Sequence, residues 1–157
     1  MNFITYLIAA IVSYLGVFAG NLLIFIAPEE LAPGRKYFRY FFFIMLSASI
    51  FFFIYVKNGG IAISLFIALL VLLFSSFLYK RFPLLKYAIY PLLGFFLGLS
   101  AKSDMFTIMA SLVFLTGFPF GSYIIKEYRK KDRKVILKNT FVVSVSFFVF
   151  AIIFWFV

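Results

Sequence analysis

The chain reads as an all-α integral membrane protein with six transmembrane helices. Three observations predict this. Of the 157 residues, 66% are hydrophobic and 13% charged, whereas soluble domains run to about half and about a quarter. Apolar stretches recur that reach or approach the ~20 residues needed to cross a ~30 Å hydrocarbon core. The basic residues collect between those stretches rather than within them. Disorder is excluded, because it requires low hydrophobicity. Six spans leave almost no chain for a soluble part, so residues 1–157 are expected to form a single polytopic membrane domain.

The first helix is expected over about 3–27. It is too long for the apolar region of a signal peptide, and Met1 and Asn2 supply no basic flank. Pro28, Pro33 and Gly34 then break the pattern. The second helix is expected over 37–56, ended by the turn residues Lys57, Asn58, Gly59 and Gly60. The third, over 61–79, ends at Lys80, Arg81 and Pro83. The fourth, over 84–100, is short and contains Pro91. A break at Ala101–Asp104 leads to the fifth, 105–125. The charged segment Lys126–Lys138 follows, and the sixth helix fills 139–157.

Charge sets the orientation. The loops after helices one, three and five, with their flanks, carry thirteen of the fifteen Lys and Arg; the other two are Lys57 and Lys102. By the positive-inside rule, loops 28–36, 80–86 and 126–138 are cytoplasmic and both termini lie outside. Size and composition resemble those of small prokaryotic multi-pass proteins, so a prokaryotic plasma membrane is the expected location. Tyr37, Tyr40, Tyr55, Tyr79, Tyr87, Tyr123 and Trp155 fall near helix ends, where interfacial anchors belong. The net charge of +10 suits anionic lipid headgroups rather than nucleic acid.

Helices one and four look alike. Leu7–Gly20 aligns with Leu85–Gly98 at an offset of 78, with seven identities in fourteen positions. An offset of half the chain with three spans per half is consistent with a 3+3 inverted repeat. The alternative is that two glycine-containing helices converge because both must pack closely. Gly16 and Gly20, Gly94 and Gly98, and Gly117 and Gly121 each stand four apart on one helix face. Such faces let backbones approach where lipid gives helices no hydrophobic reason to associate. On this basis helices one and four are expected to meet at the centre of the fold.

Chemistry has few carriers. Histidine and cysteine are absent, which removes imidazole bases, thiol nucleophiles and the usual zinc ligands. No cofactor motif or metal-ligand cluster is present, and no cofactor is expected. The carboxylates are Glu29, Glu30, Asp104, Glu127 and Asp132. Pro28 suits the first position of a short helix whose positive first turn would hold Glu29 and Glu30. These acids would contact a cation, a proton or a partner at the cytoplasmic mouth, or pair with Arg35, Lys36 or Arg39. Asn21 is a carboxamide within an apolar helix and needs a partner there. Asp104 becomes an intramembrane acid only if helix five begins before it. Lys126, Arg129, Lys130, Lys131, Arg133, Lys134 and Lys138 would meet lipid headgroups or an acidic protein partner, and could extend helix five or six.

Two function classes follow. One is a small transporter or permeation unit for a small solute or ion, with Asn21 and the glycine faces at its centre; it could work as a homodimer. The other is a non-catalytic membrane anchor or assembly subunit of a larger complex, docking through 126–138. An intramembrane enzyme is disfavoured by the scarcity of catalytic side chains.

Overall fold

The computed structural model describes residues 2–26, 31–58, 60–81, 85–124 and 133–157. Among them are six α-helices and no strand: α1 (Phe3–Ile26), α2 (Leu31–Asn58), α3 (Ile61–Arg81), α4 (Leu85–Ser100), α5 (Phe106–Ile124) and α6 (Arg133–Trp155). Two apolar stretches, Phe3–Leu23 and Lys36–Lys57, are long enough to cross a membrane. Shorter ones lie at Ile61–Phe74, Ala88–Ser100, Phe106–Gly121 and Thr140–Trp155.

The helix count and order match the expectation, but two boundaries move. α2 begins at Leu31 rather than at 37, so Pro33 and Gly34 lie in its first turn instead of ending a separate one. Proline is tolerated there because first-turn N–H groups have no intrahelical partner. α6 begins at Arg133 rather than at 139, so the basic segment does enter that helix. Lys and Arg are strong helix formers, and Val135, Ile136 and Leu137 carry the apolar run back into the charged segment.

Serine and threonine sit easily within these apolar helices because their hydroxyls bond back to the preceding turn. Ser13 donates to the Ala9 carbonyl (2.8 Å), Ser49 to Met45 (2.9 Å), Ser64 to Gly60 (2.8 Å) and Thr116 to Leu112 (2.6 Å). This satisfies the hydroxyl without a second helix. Ser47 behaves differently: it donates across to the Ala68 carbonyl of α3 at 2.6 Å.

The packing departs from the expected centre. The most extensive contacts are α1 on α5 and α4 on α6, followed by α2 on α5 and α3 on α2. α1 and α4 do not run along each other; they touch at Tyr14 and Tyr90, whose rings are 5.9 Å apart, edge to face. Nor does the pairing follow a 3+3 inverted repeat. Such symmetry would match the α1–α5 contact with an equal α2–α4 contact, which is slight. The likeness of helices one and four has a local cause instead. Each uses its glycine pair against the backbone of a neighbour, α5 for α1 and α6 for α4.

The bundle therefore has two parts. In the first, α1 and α5 form a close pair, α2 covers α5, and α3 lies on α2. In the second, α4 and α6 form a close pair. Within each close pair the backbones meet at glycine. A Cβ on Gly16 or Gly20 would overlap the carbonyl of Phe114 or Phe118, and one on Gly121 would lie 2.5 Å from the Val17 oxygen. In the second part, a Cβ on Gly94 would overlap the Phe147 carbonyl, and one on Gly98 would lie 2.8 Å from the Ala151 oxygen.

Candidate functional site

Between the two parts the contacts change character: side chains meet rather than backbones. Phe53 of α2 stacks on Phe96 of α4 at 4.3 Å, Tyr90 of α4 lies 4.4 Å from Phe120 of α5, and Tyr14 of α1 lies 5.5 Å from Phe147 of α6. The side-chain hydrogen bonds that join α1 to α6 also cross here. Tyr6 donates to the Ala151 carbonyl at 2.8 Å and Tyr14 to the Thr140 carbonyl at 2.9 Å. Asn21 Nδ2 donates to Thr140 Oγ1 at 3.1 Å. Ser144 donates to the Tyr14 hydroxyl, with the Thr140 carbonyl, 2.7 Å away, as its alternative acceptor.

The spacing on α1 explains this line. Residues 14 and 21 are seven apart, close to two turns, so they share one face, and Tyr6, eight before Tyr14, lies about 80° round the helix. Tyr14 and Asn21 stand about 100° or more round the helix from Gly16 and Gly20, which meet α5, and Tyr6 lies between the two. One helix thus presents a glycine face to α5 and a polar face to α6. Asn21, 8% exposed, finds its partner within the fold, as a carboxamide among apolar groups requires.

Tyr90 stands apart from its neighbours. It is 0% exposed, and its hydroxyl has no hydrogen-bond partner. Its ring lies against Tyr14, Phe120 and Phe147. Its hydroxyl faces Gly117, where a Cβ would lie 3.0 Å from the oxygen and 2.8 Å from the Val17 nitrogen. Tyr90 precedes Pro91, and Phe120 follows the fully buried Pro119. Each proline lacks the N–H that the carbonyl four residues earlier would accept. The two interrupted helices meet through the rings of Tyr90 and Phe120.

The other expected residues lie elsewhere. Asp104 is exposed in the turn 101–105, because α5 begins at Phe106. That turn is closed locally, with Ser103 donating to the Ser100 carbonyl at 2.8 Å. Asp104 is thus not an acid within a helix. Glu29 and Glu30, with Pro28, lie outside the described residues, as do Lys126, Arg129, Lys130 and Lys131. Arg133 and Lys134 are in the first turn of α6, and Lys138 is exposed one turn further on. Arg39 holds its guanidinium 5.7 Å from the Tyr40 ring centre, and its buried Nε has no hydrogen-bond partner.

Sequence reasoning missed Tyr6, Tyr14, Tyr90, Thr140 and Ser144. The seven-residue spacing of Tyr14 and Asn21 is a signal present in the sequence. Nothing local could have singled out Tyr90. Compared with protein-family models, curated proteins and solved structures, the chain matches none of them.

Proposed function

We propose that the chain spans a bilayer six times and forms a small transport or permeation unit for a small solute or ion in a prokaryotic plasma membrane. Both termini would lie outside. The support for six spans is the surface. Every helix presents large apolar side chains outward, among them Ile4 and Leu15 of α1, Ile44 of α2, Leu73 of α3, Leu92 of α4, Leu115 of α5 and Ile153 of α6. Continuous apolar surface on that scale is costly in water and natural in lipid. The α1 and α2 stretches are 39% and 33% buried, unlike the core helices of soluble proteins. Loop charge supplies the orientation.

The observation that carries the transport reading is the line of polar side chains between the two parts of the bundle. Tyr6, Tyr14, Asn21, Thr140, Ser144 and Tyr90 gather where two glycine-sewn parts meet. Transporters commonly place their sites at such a junction and expose it by rocking one bundle against another. Single cysteines replacing Tyr14, Ser144 and Phe147, away from the helix ends, test this in a chain with no cysteine of its own. We expect a membrane-impermeant thiol reagent to reach these positions in intact membranes. Complete protection, with labelling confined to helix ends, would overturn the transport reading.

The second reading, an assembly subunit, is favoured by α3. It is held to α2 along the narrow strip of Ser64 and Ala68, while Ile63, Phe66, Leu69 and Leu73 remain exposed. A partner helix would cover that face, with the basic segment 126–138 as a second contact. Stoichiometric co-purification with another membrane protein would support this reading.

A further inference from the structure

We propose that α4 and α6 move as one body against α1, α2, α3 and α5, and that the Tyr90 hydroxyl gains a hydrogen bond in the second position of that body. The inference rests on the packing, so it stands whether or not the protein transports anything.

Two kinds of interface support it. Inside each body, glycines bring backbones into contact: Gly16, Gly20, Gly117 and Gly121 in one, Gly94 and Gly98 in the other. All six expected packing glycines are used within a body. Such seams interlock main chains and cannot slide without collision. Between the bodies the contacts are rings and hydroxyls, which can re-form in a second rotamer or register. Packed interfaces tend to be bistable rather than continuously deformable.

Tyr90 gives the motion its direction. Tyr6 and Tyr14 each donate to a carbonyl across the junction, at 2.8 and 2.9 Å. Tyr90, more central and fully buried, donates to nothing. A hydroxyl removed from water without a partner is a standing cost in the observed state. A state that supplies a partner recovers that cost, and only the difference between the two states shifts their populations. Pro91 and Pro119, next in sequence to the touching rings of Tyr90 and Phe120, each remove one main-chain bond from α4 and α5. The carbonyls freed are those of Tyr87 and Leu115, one turn before each proline, and a helix lacking such a bond changes its angle there at least cost.

The absence of native cysteine makes distance measurements between spin labels direct. Lys36, Leu22, Leu92 and Lys138 are all exposed and can be exchanged for cysteine in pairs. Lys36 with Lys138 spans the two bodies. Lys36 with Leu22 lies within one, and Leu92 with Lys138 within the other. In lipid nanodiscs, double electron–electron resonance should give two distances for the spanning pair and one for each internal pair. Tyr90→Phe should reduce the minor population of the spanning pair about three-fold or more, the effect of one hydrogen bond of ordinary strength in a membrane protein. It should also melt no lower than the parent, having lost no bond in the observed state. Tyr14→Phe, which removes bonds already made, should melt lower.

A single distance for the spanning pair would overturn the proposal. So would internal pairs as heterogeneous as the spanning one, populations indifferent to Tyr90→Phe, or a Tyr90→Phe variant as destabilised as Tyr14→Phe. Transport can fail in the labelling experiment while these distances still show two states, so the two claims fall separately.

Discussion

Gly20 and Gly34 show how the same residue type can carry opposite consequences. Gly20 faces the Phe118 carbonyl and the Gly121 Cα, both main-chain atoms that cannot swing away. Gly34 faces only the Phe38 ring, where a Cβ would lie 3.2 Å from Cε2, the far end of a rotatable side chain. Gly20→Val should therefore destabilise the fold by about 1–3 kcal/mol, the usual cost of overpacking. Gly34→Ala should be neutral or stabilising by up to about 1 kcal/mol, since alanine is the better helix former. Thermal unfolding in detergent compares the two, and equal losses would contradict the glycine-seam description. The six packing glycines were legible from their four-residue spacing. Their partners were not, because a glycine pair names a face without naming what lies opposite. Asn21 was legible as a group needing a partner, but Thr140 lies 119 residues away and carries no local mark of the pairing.

At the scale of the helix, α3 is the exception. Its buried residues, Ser64 and Ala68, stand four apart, and Ser47 of α2 bonds the Ala68 carbonyl. Much of its remaining described surface is apolar and exposed, with Leu73 72% exposed, while Leu72 packs partly buried against the core. The two faces predict different responses. Ala68→Leu should force α3 away from α2 at about 1–3 kcal/mol. Leu73→Ala should change stability by no more than about 0.5 kcal/mol, as expected at a surface position. Unfolding of the two variants in nanodiscs measures this, and a large loss for Leu73→Ala would reveal a partner on that face. Helix existence and order could be read from apolar length and from breakers. The starts of α2 and α6 could not, because the breakers Pro33 and Gly34 pointed to a later start for α2 and the basic segment left extension of α5 or α6 equally open. A proline within the first turn and a run of Lys and Arg both fit a helix end as well as they fit a loop.

For the whole molecule, topology is the first quantity to measure. The charge asymmetry predicts that Lys36 and Lys138 face one compartment and Lys102 the other. Cysteines replacing each of these exposed residues should react with an impermeant reagent from opposite sides of sealed, oriented vesicles. Lys102 reacting from the same side as Lys138 would remove the six-span arrangement. If the arrangement holds, the junction of the two bodies crosses the full bundle. Phe3 and Trp155, 4.8 Å apart, lie near one end and Asn21 with Thr140 near the other.

Composition and apolar length carry what depends on solvent: among the described residues, six helices in the expected order with large apolar side chains outward. Those properties are local, because each helix closes its hydrogen bonds within its own segment. Which helices pair is a different kind of fact. α1 with α5 and α4 with α6 are chosen by shape complementarity between faces far apart in the chain. The half-length repeat in the sequence pointed to a symmetry that the packing does not have, because the same glycine spacing serves any neighbour offering a backbone to touch. The polar junction, and the unpaired hydroxyl of Tyr90 within it, arises only when those pairs meet. It is a property of assembled surfaces rather than of any segment.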